Sequence, residues 1–526
     1  MTQKPKNAKV KTVYLQGLEG CEAEVEVSIF QGLPNFEVVG LGDSSIRESK
    51  ERVRASIRSC GYTFPNQRIL VNISPAYLRK SGSSFDLPIA LAILLASGQI
   101  ESFYSDIVAY GELSLTGEVR PVPGSISRML ALSHIESSII LIPLKDCQEA
   151  ALLSVEVLGV TSLLDAISEL ITPFVSRDHQ YPIYNLYPTY SMDELPEPKV
   201  DISCLRGQPS AERAIIIAAA GFHNMLFSGS PGTGKSLSAQ IIQGILPPLS
   251  MQEKIELLRV ESSLSVLNQY DLSSCERPFR YVHHTCTPSA MVGGGRNALP
   301  GEISRALHGI LFLDELPEFP AKVLDLLRVP LESGEIEISR NCTSNIFPAR
   351  FMLVAAMNPC RCGKCIEAPS ECTCTPSMIR SYQAHISGAL LDRMDIYCYM
   401  PRISEDAMVE TIRAEQTSKS REWRKQIEEI WENQYLRCDE MGVKRVRNGE
   451  CREASLAELF RIGKKESEYA ALAANQMNLS VRGLQRLVRL SRTIADLESS
   501  KDVKCDHITE ALSYRMPLSR EDKVRV

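Results

Sequence analysis

The run Gly229, Ser230, Pro231, Gly232, Thr233, Gly234, Lys235, Ser236 lies between a short apolar stretch, Met225 to Ser228, and the helix-compatible segment SLSAQIIQGIL. It fits the spacing G-x-x-x-x-G-K-[ST], in which glycines let a loop curl so closely around phosphates that side chains would collide. Backbone N–H groups and a helix N-terminus then hold the anion. A strand, a curled loop and a helix in that order belong to an α/β fold with a parallel sheet. Lys235 offers a movable positive charge for the β- and γ-phosphates and Ser236 a hydroxyl for Mg²⁺, so ATP and Mg²⁺ are the expected ligands.

Further along, Ile310, Leu311, Phe312 and Leu313 form an apolar strand that ends in Asp314 and Glu315. Asp314 is placed to hold Mg²⁺ through its water shell, and Glu315 to orient and polarise the water that attacks the γ-phosphate. A third apolar strand, Phe351 to Ala356, leads to Asn358, whose amide is placed to sense the γ-phosphate. In LLDRMDI, Arg393 stands where a guanidinium can reach the nucleotide of a neighbouring subunit, which implies a ring. Arg482, at the start of the last long helix, is the candidate for closing a lid onto the γ-phosphate. Together these residues read as an ATP-hydrolysing site.

At 526 residues the chain is too long for one compact core, and 44% apolar residues suffice for several. Residues 1–172 read as a mixed α/β domain, with alternating AEVEVSIF at Ala23 to Phe30 and an apolar run at Ile139 to Ile142. Residues 173–200 are rich in Pro and Tyr and read as a linker. Residues 201–403 alternate strands and helices, beginning with a helix capped by Ser210 and ended by Gly221. Residues 404–526 read as helical throughout. The longest apolar run, Leu87 to Ala96, is about half of a membrane crossing, and no signal-peptide core opens the sequence, so a cytoplasmic protein without a membrane partner is expected. With 58 basic and 64 acidic side chains the net charge is −6, so nucleic acid would have to be gripped by a local basic lining.

The stretches GSPGTGKS, HGILFLDELPEF, AAMNPCRCG, ECTCTP, ISGALLDRMDI and SVRGLQRLVRLSRTIADL resemble the magnesium-chelatase-like AAA+ ATPases of the YifB/ComM group. The likeness covers nearly the whole chain. It implies an N-terminal domain with the fold of the Lon proteolytic domain, an AAA+ core with a phosphate loop on a parallel sheet, and a C-terminal helical lid. It also implies a hexameric ring that acts as a DNA helicase or translocase and drives branch migration of recombination intermediates. Carried over by position, it makes Lys235 and Ser236 the phosphate and Mg²⁺ residues, Asp314 and Glu315 the Walker B pair, Asn358 sensor one, Arg393 the finger and Arg482 sensor two. The Lon-type fold needs a serine and a lysine for peptidase chemistry. Ser84 falls near the nucleophile's position, whereas the lysine's position reads Ser125, Ile126, Ser127, Arg128, and an arginine stays protonated. A non-catalytic platform is the expectation.

Sixteen cysteines without an export signal read as free thiols. Five fall within the insertion 359–376, namely Cys360, Cys362, Cys365, Cys372 and Cys374. Four thiolates on a short loop suit tetrahedral Zn²⁺; reduced structural thiols and a redox-sensitive loop are the other readings. The resemblance covers Cys360, Cys362, Cys372 and Cys374, leaving Cys365 as a fifth thiol beside them. Two segments are candidate pore loops for DNA, one from Gly293 with Arg296 and one from Gly334 with Arg340, and the adjacent His283 and His284 read as surface residues. DNA as substrate rests on the resemblance. A chelatase-type motor and a protein remodeller, each acting through a protein partner, are the alternatives.

Overall fold

The computed structural model describes residues 6–39, 43–75, 82–172, 197–205, 207–295, 298–340, 343–402, 419–452 and 456–515. The linker's first part, the opening of the helical tail and Arg296 lie outside the described residues, as does the side chain of Arg340. The chain forms two compact units. One comprises Met1–Thr189, Lys254–Ser274 and Ser339–Ile346, and the other Tyr190–Glu253, Cys275–Ile338 and Phe347–Val526. No described helix is long and apolar enough to cross a membrane.

The first unit is built on a seven-stranded sheet with spatial order Asn35–Val39, Arg68–Ser74, Glu19–Phe30, Lys6–Gln16, Ile107–Ala109, Ile139–Pro143, Leu158–Val160. Glu19–Phe30 pairs antiparallel with both its neighbours, and the remaining pairings are parallel. The alternation in AEVEVSIF does what a period of two requires: Ala23, Val25, Val27 and Ile29 are buried and Glu24 and Glu26 face outward. Asp86–Ser97 is a helix apolar on every side and accordingly sits inside the core, ending at a left-handed Gly98. The segment Lys254–Ser274 joins this unit through Arg259, which donates to the Leu18 carbonyl at 3.0 Å and to the Glu19 carboxylate at 2.6 Å.

Ser84 is 1% exposed, and Ser125, Ile126, Ser127 and Arg128 are all buried, so the described positions present neither an accessible nucleophile nor a lysine. Arg128 instead belongs to a buried polar cluster. Its guanidinium donates to the Val13 carbonyl and lies over the Tyr110 ring, and the Tyr110 hydroxyl donates to Asp146 Oδ2 at 2.7 Å. Burial pushes the Asp146 carboxyl up to about 8, with nearby Glu149 adding to the shift, and burial pushes Glu149 itself up to about 7. A carboxyl that holds its proton more tightly when folded lends its full stability below the unfolded value and loses it as pH rises toward the folded one. Asp146→Asn keeps an acceptor for Tyr110 and removes the ionisation. It is expected to stabilise this unit more at about pH 8.5 than at about pH 4, by on the order of 5 kcal/mol. Equal thermal shifts at the two pH values would contradict the assignment.

The second unit carries a five-stranded, wholly parallel sheet with spatial order Phe279–Val282, Ile310–Leu313, Met352–Met357, Met225–Gly229, Ile396–Met400. The three inner strands are buried along their whole length, as strands covered on both faces must be. The helix before the first strand runs Pro209–Gly221. Its cap is Gln208 and not Ser210, because Pro209 occupies the first helical position, where a missing N–H costs nothing. Gly221 is the last residue of this helix, whose left-handed cap is Phe222, and a Cβ on Gly221 would lie 2.2 Å from His223 Nε2.

The described part of the C-terminal region is helical, with Lys419–Glu440, Lys464–Gln476, Val481–Leu497 and Cys505–Ser513 as its main elements. These helices share one hydrophobic core with the sheet, in which Ile427, Trp431, Leu487 and Ile494 meet Ile215, Ala219 and Phe227. Trp431 Nε1 donates to the carbonyls of Ala219 and Ala220, which satisfies the end of the Pro209–Gly221 helix. Asp395, fully buried, accepts from Arg486 at 2.7 Å and from the Asn224 amide at 3.0 Å. Burial alone would raise its pKa, but the guanidinium outweighs it and holds the carboxyl well below the usual range.

Candidate nucleotide site and cysteine cluster

The parallel sheet turns the C-terminal tips of Met225–Gly229, Ile310–Leu313 and Met352–Met357 toward one edge, and the polar residues that follow them meet there. Gly232 and Gly234 adopt φ of 82° and 88°, conformations in which L side chains are strained, so the loop can curl into the helix Lys235–Ile245. Lys235 Nζ donates to the carbonyls of Gly229 and Ser230 at 2.7 and 2.9 Å and to Asn358 Oδ1 at 3.1 Å. Burial lowers its pKa, opposed by Asp314, Glu367 and Glu315, so the ammonium sits half-buried among three carboxylates. Ser236 Oγ donates to Asp314 Oδ2 at 2.8 Å. The loop's hydroxyl, the strand-tip carboxylate and the amide of the third strand are thus brought to one place, as the spacing of three separate motifs anticipates.

Glu315 follows Asp314 in a left-handed conformation, φ 52°, with its side chain 57% exposed. His284 Nδ1 stands 3.7 Å from its carboxylate. His284 therefore belongs beside the acidic tip and is more than the surface residue that its position next to His283 suggests. The strand Phe279–Val282 lies against Ile310–Leu313, and that pairing is the signal that places it.

Arg393 and Arg482 are grouped by a residue that no motif points to. Arg393 is 6% exposed, with its guanidinium on Glu332 Oε1 at 2.7 Å and on the carbonyls of Arg328 and Ala389. Arg482, 63% exposed, reaches the same Glu332 oxygen at 2.6 Å. The structure pairs Arg482 with the carboxylate that also holds Arg393, where a lid residue closing on the γ-phosphate is expected near Lys235. Ser480 caps its helix through the Gly483 amide and also donates to Asp392.

The cysteine-rich insertion sits directly after Asn358. The sulfur atoms of Cys360, Cys362, Cys372 and Cys374 all lie within 4.8 Å of one another. Cys360 to Cys362 is 3.5 Å, Cys362 to Cys372 3.5 Å and Cys360 to Cys372 3.9 Å. The edge of a tetrahedron with Zn–S bonds of about 2.3 Å is about 3.8 Å, so the donor set fits Zn²⁺ in kind, number and spacing. A hydrogen bond from the Lys364 amide leads the influences that bring the Cys362 thiol down to about 6. Cys365 lies outside this foursome, and burial pushes it up to about 12. The single hydroxyl proton of Ser230 in the phosphate loop is shared between the Gly363 carbonyl at 2.9 Å and Glu367 Oε2 at 2.5 Å, a contact between two motifs that sequence reasoning treats separately.

A parallel sheet in this strand order, with a phosphate loop on one inner strand and an acidic tip on another, defines a phosphate-loop α/β protein. Family models agree along the chain: magnesium chelatase subunit ChlI matches residues 201–408, subunit ChlI of Mg-chelatase residues 25–146, and the ChlI C-terminal model residues 417–515. Competence protein ComM of Haemophilus influenzae is 36% identical over 510 residues, covering 96% of this chain and 97% of the relative. A protein named YifB from Salmonella typhimurium is 36% identical over 97% of both chains. The magnesium-chelatase 38 kDa subunit of Rhodobacter capsulatus is 27% identical over 61% of this chain and 88% of its own. The chain belongs to the YifB/ComM family of magnesium-chelatase-like proteins, and membership implies ATPase activity.

Proposed function

We propose that the chain is a cytoplasmic AAA+ motor that hydrolyses Mg²⁺–ATP within a homo-oligomeric ring, hexameric by the family resemblance, and uses the energy to remodel DNA, including branch migration. The observation that carries the ATP reading is the convergence of Lys235, Asn358, Ser236 and Asp314 at one sheet edge. Ser236 and Asp314 would hold Mg²⁺, which when bound neutralises charge on the β- and γ-phosphates. Lys235 exchanges its carbonyl partners for phosphate oxygens, and Asn358, already on the ammonium, is positioned to read whether a γ-phosphate is present. Glu315, with His284 behind it, orients the attacking water. Arg393 is the group offered to the nucleotide of the next subunit, and Arg482, on the same Glu332 carboxylate, is the candidate for closing a lid onto the γ-phosphate.

The likeness to a competence protein over nearly the full chain supports DNA as the substrate, and the partial likeness to a chelatase subunit favours the second reading, a motor that works through a protein partner. ATPase rates with single-stranded, duplex and branched DNA separate them. DNA of the preferred structure is expected to raise the rate about tenfold, with Lys235→Ala inactive throughout. No stimulation by any DNA, together with no retention on a DNA column, would remove the DNA reading.

A further inference from the structure

The insertion 359–376 contains one turn of 3-10 helix, Pro369–Glu371, and no strand. Its buried apolar side chains are Pro359, Cys360 and Cys365, too few to make a core that could fix its shape. Yet it makes defined contacts with the phosphate loop. The Gly363 carbonyl and the Glu367 carboxylate share the one hydroxyl proton of Ser230, and the other oxygen of Glu367 accepts from the Arg402 amide at 2.6 Å. Gly363 itself presses on Pro231 so closely that a Cβ would lie 2.4 Å from Pro231 Cδ. Ser230 is 1% exposed as a result of this cover and of the loop's own fold. Asn358, two residues before the first cysteine, holds Lys235 on the other side. Every one of these contacts is made by backbone or side chains lying between, or just before, the clustered thiols.

We propose that Cys360, Cys362, Cys372 and Cys374 bind one Zn²⁺ whose role is to brace the phosphate loop from outside, so that nucleotide affinity follows metal occupancy. The inference rests on the reading of Gly229–Ser236 as the nucleotide loop. A coreless loop has many conformations of similar energy, and a tetrahedral thiolate centre selects one of them. The selected one holds Gly363 and Glu367 at Ser230 and Pro231. Removing the metal frees that grip and leaves the phosphate loop to sample shapes in which its amides no longer converge.

The test uses the full-length protein as purified, after stripping with a strong zinc chelator under reducing conditions, and after reloading with zinc alone. Metal analysis is expected to find about one zinc per chain; intact thiols with no zinc, or another metal in its place, overturn the proposal. On stripping, hydrogen exchange of peptides covering Gly229–Ser236 is expected to rise and the Kd for a fluorescent ATP analogue to increase about tenfold, both reversed by zinc. Glu367→Ala keeps the four thiols, so it is expected to retain zinc yet show the fast exchange of the stripped form. Unchanged exchange on stripping, or in Glu367→Ala, overturns the brace. The two readings part cleanly: zinc-dependent exchange without ATP binding removes the nucleotide assignment alone, and zinc-independent exchange with normal ATP binding removes the brace alone.

Discussion

Arg393→Ala is expected to lower the ATPase rate of the assembled protein about 10³-fold while leaving ATP affinity within a small factor of wild type. In a site shared between subunits, the finger neutralises charge that develops only in the transition state, so the loss falls on kcat and not on binding. The side chain is well buried and braced by Glu332 and two carbonyls, which makes loss of packing the competing explanation. A mixing experiment distinguishes them. Lys235→Ala and Arg393→Ala are each inactive alone, but a mixed ring places an intact finger beside an intact phosphate loop at some interfaces, and activity should return there. A wild-type rate for unmixed Arg393→Ala would sink the role outright. Failure of mixed rings to regain any activity, with both variants assembling normally, would place Arg393 in the fold of its own subunit.

For Glu315→Gln the expectation is a fall in hydrolysis of about 10²- to 10⁴-fold with ATP still bound. Glutamine keeps the size and the hydrogen-bonding oxygen but cannot accept the water's proton. The side chain is more than half exposed at the end of a buried strand, and its main neighbour is His284, so the substitution removes chemistry without opening a cavity. The variant should therefore hold a stoichiometric, unhydrolysed nucleotide, measurable by extracting and separating ATP from ADP. Turnover near the wild-type rate would mean that another base activates the water. Failure to retain ATP would mean that Glu315 serves binding.

Motifs that act over short stretches of chain are legible in the sequence. The phosphate loop, the acidic strand tip and the amide after the third strand each announce themselves by a few residues between apolar runs, and a parallel sheet has only one edge where such tips can converge. The period-two alternation of Glu19–Phe30 was equally plain. What could not be read were contacts between distant segments. Glu367 meets Ser230 across 137 positions, and nothing local marks a glutamate in a cysteine loop as a partner of the phosphate loop. Glu332 sits in an unremarkable turn of helix, Pro330–Ser333, and acquires meaning only because two arginines reach it. His284 looked superficial because its neighbour across the strand pairing was not yet known. The helix Pro209–Gly221 starts earlier than Ser210 suggests: serine is the better cap by chemistry, but proline decides the first turn by geometry.

The carboxylate of Glu332 is shared by guanidinium groups from two different elements. One of its arginines is anchored in the body of the sheet domain, and the other rides on the exposed first turn of the helix Val481–Leu497. The exposed half of this pairing is worth little in water, so Arg482 can leave Glu332 at small cost while Arg393 stays on it.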